Sequence, residues 1–174
     1  ADSNLPQALR AHFAFVEDQL NQPDSAGRDR WFRRFLDGEL VGSGWLNTGG
    51  EQVTLEDLRG KVVVLDFWTF CCINCLHVLD ELRPLEEEFA DVLVTVGVHS
   101  PKFEHEADPD ALAAAVERYA IEHPVLDDPE LTTWQAYSAR AWPTLVVVDP
   151  EGAPGGLVVG EGHNQVRADR DPSD

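Results

Sequence analysis

The chain has 174 residues, 43% of them hydrophobic, and its 32 acidic against 13 basic side chains give a formal net charge of -19. This length and apolar content allow one domain to bury its own core without a disulfide or a metal ion, while the acidic surplus excludes the basic surface that binding to nucleic acid or to an anionic membrane requires. Because no apolar run approaches ~18 residues and no signal-peptide pattern is present, we expect no membrane span and a cytoplasmic protein, or an extracytoplasmic one if an N-terminal signal has been removed.

Residues 1–37 are predicted to form a helical extension ahead of the main domain. Apolar side chains recur at three- and four-residue spacing over residues 4–20, which is typical of an amphipathic helix, and residues 28–36 predict a second, shorter helix. We expect the first helix to cover a face of the domain. Its apolar stripe consists of Leu5, Leu9, Phe13, Val16 and Leu20.

The next segment predicts a hairpin followed by a buried strand. Glycines punctuate residues 38–52, and Gly49-Gly50 suits a hairpin turn. After a short helical turn at residues 55–58, the run Val62 to Phe67 is almost continuously apolar, as expected of a strand that is buried on both faces of a sheet. Asp66 is the one polar residue in that strand.

Three cysteines follow this strand directly, at positions 71, 72 and 75. Apolar residues at helical spacing begin at Cys75, so Cys72 is expected at the start of a helix and Cys75 about one turn inside it. Unpaired amide groups and the helix dipole stabilise a thiolate at such a position. Cys72 is therefore the candidate nucleophile and Cys75, on the same helical face, the candidate resolving thiol. The structural alternative is a pair of inert core thiols.

The same cluster raises the question of a metal site. Cys71, Cys72, Cys75 and His77 offer four soft or borderline ligands for zinc or an iron–sulfur cluster. His77 lies two residues from Cys75 and points elsewhere on a helix, so we expect no metal and no cofactor. For Cys71 we expect a buried packing thiol, with a third redox partner as the alternative.

The remaining chain predicts further strands alternating with helices. A second parallel strand is expected at residues 92–98, and the polar loop after it, at residues 99–106, lies at the sheet edge where sites of α/β folds gather. His99 opens that loop, and we expect a solvated histidine there and at His163. The other predicted elements are a helix from Pro109 to Ala120, an edge strand at 124–126, a short helix at 129–137, and strands at 145–148 and 157–159.

Several of these motifs carry a resemblance to a known family. Asp66-Phe67-Trp68 followed by Cys-x-x-Cys resembles thioredoxin, and Trp142-Pro143-Thr144 before an apolar strand resembles its cis-proline loop. The ordered set of motifs at residues 71–75, 97–103, 142–144 and 160–163 resembles the thioredoxin-like domain of NHL-repeat-containing protein 2 and its bacterial relatives. A TlpA-like and DipZ-like group is the next nearest.

The resemblance implies a thioredoxin-like α/β fold over residues 38–163, with a central mixed β-sheet flanked by helices. Residues 164–174 would be a polar tail or linker, and a C-terminal β-propeller could follow in a longer parent protein. It implies that Asp66 is a buried acid that takes the proton of Cys75, and that a cis peptide bond before Pro143 places the Trp142 backbone against the sulfurs. Substrate docking would then involve Trp142, Pro143 and Thr144, with Trp68, Cys71 and His99 as auxiliary residues.

The function predicted from these residues is thiol–disulfide exchange with a protein or small-molecule disulfide or thiol. One alternative is a non-catalytic thioredoxin-like docking module of a larger NHL-repeat protein. Another is a peroxiredoxin-type peroxidase, because Thr69 precedes Cys72 by three residues as in that family, although Leu65 stands where peroxiredoxins have proline. A metal site is the remaining alternative.

Overall fold

A computed structural model describes residues 40–152 and 154–159 of the chain. The two predicted N-terminal helices, the motif at residues 160–163 with His163, and the polar tail lie outside the described residues. Within them lie six strands and three α-helices. The strands are β1 (Gly44–Leu46), β2 (Val62–Trp68), β3 (Leu93–His99), β4 (Val125–Asp127), β5 (Thr144–Val148) and β6 (Pro154–Val159). The helices are α1 (Ile73–Glu88), α2 (Pro109–Arg118) and α3 (Thr132–Ala136), and a 3-10 helix spans Glu104–Ala107.

The strands form one mixed sheet in the order β1-β4-β3-β2-β5-β6. β2, β3 and β4 run parallel, whereas β1, β5 and β6 each pair antiparallel with their neighbours. The predicted α/β class with a central mixed sheet is therefore confirmed.

Strand β2 lies in the middle of the sheet, and both of its faces are buried. Val63, Leu65 and Phe67 pack on one face, where Trp134 of α3 covers them. Val62 and Val64 pack on the other face against α1. Side chains alternate between the faces of a strand, so Asp66 and Trp68 project toward α1, the helix that begins at the cysteines.

The predicted hairpin is wrong. In the described residues β1 pairs with β4 instead, and no second strand is assigned between residues 47 and 61. Gly42 permits this pairing because an added Cβ would lie 2.2 Å from the carbonyl oxygen of Asp127. Gly49 and Gly50, with φ of 68° and 84°, lie in the turn after β1. The prediction of β4 as an edge strand is also wrong, since β1 takes the edge.

No helix in the described part of the chain is long and apolar enough to cross a membrane.

Candidate active site

The two thiols of the Cys-x-x-Cys motif lie at the start of α1. Cys72 is the N-cap of the helix, and its Sγ accepts a hydrogen bond from the backbone N–H of Cys75 at 3.2 Å. Cys72 is half-buried, whereas Cys75 is fully buried, and both are free thiols. Burial raises the pKa of the Cys75 thiol far above its ordinary value, and the hydrogen bond that it shares with the Cys72 thiol acts in the same direction. Cys75 therefore holds its proton in the reduced protein.

Asp66 lies beneath these thiols with no hydrogen-bond partner. Its side chain has 0% exposure, and neither carboxyl oxygen is hydrogen-bonded. Burial, with a smaller contribution from the negative charge of Glu86, raises the pKa of Asp66 to about 8. Its charge also acts on the Cys75 thiol. A carboxyl group with this pKa can take up and release a proton near neutral pH.

The Trp142-Pro143-Thr144 segment lies beside the cysteines. The Trp142–Pro143 peptide bond is cis. The Trp142 indole donates to the carbonyl oxygen of Ser100 at 2.6 Å, and its ring stacks on Trp134 with centroids 4.1 Å apart. Trp142 and Cys72 pack, both partly buried, against the apolar cluster that contains Trp68 and Cys75. The indole is thus held in place at the rim of the site.

His99 is not the solvated loop histidine predicted. It is the last residue of β3 and is fully buried, because the strand extends to the level of Trp68. Its ring stacks on Phe70 at 5.2 Å and meets the edge of Trp68 at 5.1 Å. Burial lowers the pKa of His99 to about 4, although the charge of Glu106 opposes this. His99 is therefore a neutral packing residue behind residues 69–72, the turn that leads into α1, which we call the cysteine turn.

Glu106 is a site residue that the sequence analysis missed. Its buried carboxylate accepts hydrogen bonds from the Thr69 hydroxyl, from the Phe103 amide at 2.8 Å and from the Cys71 amide at 3.4 Å. Burial opposes its ionisation, but these hydrogen bonds outweigh burial and lower the pKa of Glu106. The sequence signal was a glutamate three residues after the helix N-cap, which is one half of a capping box, since Phe103 has no side-chain acceptor to complete it. Glu106 ties the cysteine turn to the loop after β3.

Glu106→Ala is expected to destabilise the domain by about 3 kcal/mol, because one buried and two partly buried donors lose their acceptor. Urea unfolding of the reduced protein at pH 7 measures this change. Glu104→Ala, an exposed glutamate in the same 3-10 helix, is the matched control and should change stability by less than about 0.5 kcal/mol. Equal losses in the two variants would contradict the assigned role of Glu106.

Cys71 is exposed, so the prediction of a buried packing thiol is wrong. Its sulfur lies 3.7 Å from His105 Nε2. Partial desolvation and the nearby charge of Glu106 raise the pKa of this thiol. Across the described residues, no group of three or more His, Cys, Asp or Glu side chains is placed to hold a metal ion.

Comparison with known proteins assigns this domain to a family. A family model described as the AhpC/TSA family matches residues 37–153. The chain belongs to the AhpC/TSA family. Among solved structures, the crystal structure of a thioredoxin-like superfamily protein matches with a TM-score of 0.64 and 28% identity, covering 71% of this chain and 85% of that one. The predicted thioredoxin-like fold is thus confirmed for this AhpC/TSA-family domain.

Three curated relatives show where such domains occur. The AhpC/TSA-family chain is 50% identical over 123 residues to NHL repeat-containing protein 2 of Gallus gallus, covering 70% of this chain and 17% of that protein. It is 35% identical over 126 residues to protein DipZ of Mycobacterium tuberculosis, covering 71% and 18%. It is 30% identical over 116 residues to the thiol-disulfide oxidoreductase YkuV of Bacillus subtilis, covering 66% and 76%. The predicted resemblance to the NHL-repeat and DipZ proteins is confirmed, and the chain spans less than a fifth of either.

Proposed function

We propose that this domain is a thiol–disulfide oxidoreductase in which Cys72 is the nucleophile and Cys75 the resolving thiol. The observation that carries the proposal is the hydrogen bond from the Cys75 amide to the Cys72 sulfur at the N-terminus of α1. An amide that donates to a sulfur stabilises its thiolate, which is the reactive form. The similarity to the oxidoreductase YkuV supports the same activity.

The reaction follows from the different burial of the two thiols. The half-buried Cys72 thiolate attacks a substrate disulfide R–S–S–R′, forming a Cys72–S–S–R bond and releasing R′S⁻, which takes a proton from solvent. Cys75 then attacks the Cys72 sulfur, the new disulfide forms, and RS⁻ leaves. The substrate gains two electrons and the protein loses two. The reverse sequence oxidises a dithiol substrate.

Asp66 supplies the base for the second step. Cys75 is buried and protonated, so it must lose its proton to attack. The raised pKa leaves about a tenth of Asp66 ionised at pH 7, and this carboxylate form accepts the proton and becomes the neutral acid that the fold favours.

The rim of the site suits an extended chain around a disulfide. Ile73, 63% exposed beside Cys72, and Phe103, 54% exposed in the loop after β3, present apolar surface. Lys102 Nζ lies 5.6 Å from the Phe103 ring centroid and 5.7 Å from that of Trp142. We infer that Trp142, Pro143 and Thr144 contribute the docking edge for a protein or small-molecule disulfide.

A non-catalytic docking module is the second candidate, and the relatives' architecture favours it. The matched region is a small part of the NHL repeat-containing relative, so this domain could serve a longer parent protein with a β-propeller by binding rather than by chemistry. The peroxidase alternative is less well supported. The Thr69 hydroxyl donates its hydrogen bond to Glu106, so it is not available to donate to a peroxide that reacts at Cys72.

Equilibration in glutathione redox buffers separates these functions. The oxidoreductase should show a reversible two-electron couple, counted by mass spectrometry of alkylated thiols, that is absent from Cys72→Ser and Cys75→Ser. If the thiols stay unchanged in every buffer, the docking module would be the remaining candidate function. Oxidation of Cys72 by peroxide alone would support the peroxidase instead.

A further inference from the structure

The loop after β3 is fixed to the active site at its first residue. The Ser100 amide donates to the carbonyl oxygen of Trp68, the last residue of β2, at 2.9 Å. The carbonyl oxygen of Ser100 accepts from the indole of Trp142 at 2.6 Å, and the Ser100 hydroxyl donates to Asp128 at 3.1 Å. Ser100 therefore holds the start of the loop between the strand that leads into the cysteine turn and the cis-proline loop.

The same loop is fixed a second time by its contacts with Cys71. The Glu106 carboxylate accepts from the Phe103 amide at 2.8 Å and from the Cys71 amide at 3.4 Å. The His105 ring stacks on the Phe103 ring with centroids 5.9 Å apart, and His105 Nε2 lies 3.7 Å from the sulfur of Cys71. One carboxylate thus holds the backbone next to Lys102 and the backbone of the cysteine turn together.

Lys102 lies between these two attachments, and its ammonium group is placed over aromatic rings. Nζ lies 5.6 Å from the Phe103 ring centroid and 5.7 Å from the Trp142 ring centroid, within the range of cation–π contacts. The Trp142 ring is itself held by its stacking on Trp134. Lys102 is exposed, and no ion pair within the described residues involves it. Its positive charge is therefore held at the rim of the active site, where it is open to an anion.

Exposed apolar side chains accompany this charge at the rim. Ile73, which follows Cys72, and Phe103 are two of the four large hydrophobic side chains that are exposed in the described part of the chain. A small disulfide cannot cover both of them and also reach Lys102, whereas an extended polypeptide can. The rim therefore suits a polypeptide that carries a negative charge.

The acidic charges of the domain limit this preference but do not cancel it. At physiological ionic strength, exposed charges more than ~8 Å apart are largely screened, so the formal net charge of -19 acts weakly on a group bound at Lys102. The Glu106 carboxylate is buried, and its oxygens are taken by three donors. Glu104 is an exposed acid in the same loop. We expect Lys102 to have the larger effect, because its ammonium group contacts the ring of Trp142.

We propose that Lys102 is a specificity-determining residue that selects polypeptide disulfides with a carboxylate beside the reacting half-cystine. The proposal rests on the proposed function, since it names the class of substrate that Cys72 attacks. The substrate carboxylate lies against the Lys102 ammonium group while the substrate backbone lies along the Trp142-Pro143-Thr144 segment. The bonds that form and break, and the two electrons that move, are those of the exchange steps above. Lys102 changes how fast an acidic disulfide reaches Cys72.

Exchange with peptide disulfides of different charge tests this selection. The probes are the oxidised homodimers of the blocked tripeptides Glu-Cys-Glu, Gln-Cys-Gln and Lys-Cys-Lys, and quenched flow with mass spectrometry measures the rate constant of each with the reduced protein at pH 7. The ratio of the glutamate to the glutamine peptide should fall about fivefold in Lys102→Gln, since a close charge pair in water is worth about that factor. The ratio of the lysine to the glutamine peptide should rise. Lys102→Arg keeps the charge and should keep both ratios within about twofold.

Lys61→Gln is the matched control for the loss of one positive charge. Lys61 precedes the seven residues of β2, so it lies about 20 Å from the cysteine turn, beyond the screening length. Both ratios should change by less than about 1.5-fold in this variant. Equal ratios in Lys102→Gln and Lys61→Gln, or a fall of both ratios in Lys102→Gln, would overturn the role of Lys102. An effect of Lys102→Gln on 3,3′-dithiodipropionate but on none of the peptides would overturn the assignment to polypeptides.

A binding measurement separates the failure of this proposal from the failure of the proposed function. In Cys72→Ser, which lacks the attacking sulfur, the indole N–H resonance of Trp142 reports titration with the glutamate peptide disulfide. Adding Lys102→Gln should raise the Kd about fivefold, and a domain without exchange activity can still show this loss. Normal exchange with equal Kd values in the two variants would leave the oxidoreductase intact and remove the role of Lys102.

Discussion

Cys75→Ser is expected to stop the reaction after its first step, so that a mixed disulfide between Cys72 and the substrate accumulates. Cys72→Ser removes the attacking sulfur and should lower the exchange rate by roughly a thousandfold or more. The difference arises because Cys72 is half-buried at the helix N-cap, whereas Cys75 is fully buried behind it. Mass spectrometry after reaction with oxidised glutathione should therefore find the adduct in Cys75→Ser and no adduct at position 75 in Cys72→Ser.

Cys71→Ser is the matched control for both variants. Cys71 is adjacent to Cys72 in sequence, and its thiol is exposed. Its sulfur lies 3.7 Å from His105 Nε2, and no step of the proposed reaction uses it. Bonding between neighbouring cysteines requires a strained ring, so Cys71 is a poor substitute for Cys75. We expect Cys71→Ser to retain at least about half of the exchange rate. Loss of exchange in Cys71→Ser with retention in Cys75→Ser would reverse the assignment of the resolving thiol.

Asp66→Asn is expected to raise the free energy of unfolding at pH 7 by about 4 kcal/mol. The carboxyl has a pKa of about 8 in the fold against an ordinary pKa of 3.8, so at pH 7 the folded chain keeps a proton that the unfolded chain releases. The free energy of unfolding therefore falls as the pH rises from about 4 to about 8, at about 1.4 kcal/mol per pH unit. The amide resembles the protonated acid and carries no such dependence.

Urea unfolding of the reduced protein at pH 4 and at pH 7 measures this effect. The variant and the wild type should be similar at pH 4 and differ at pH 7. Asp91→Asn, at an exposed position before β3, should show no comparable gain. Parallel pH dependence in wild type and Asp66→Asn would contradict the raised pKa. The same variant should also slow the resolving step about a hundredfold at pH 7, since Cys75 loses its base.

Much of the active-site segment is predictable because its determinants are local. The apolar run from Val62 predicts a strand buried on both faces. The stripe of apolar residues that starts at Cys75 predicts the helix. The position of Cys72 at the N-cap then follows from their spacing. The burial of Asp66 follows too, since a lone acid inside such a strand has no solvent to face. The errors occurred where a partner lies far away in the chain, as for β1, which pairs with a strand some eighty residues later.

The sequence by itself determined the order of strand, cysteines and helix, and with it the places of Cys72, Cys75 and Asp66. Only the tertiary structure decided that His99 is buried, that Glu106 accepts a hydrogen bond from the Cys71 amide, and that His123 pairs with Glu86. The physical reason is the range of the interactions. Backbone hydrogen bonding and side-chain periodicity act within a few residues, whereas these contacts join segments about thirty or more residues apart, which only the packing of helices on the sheet brings together.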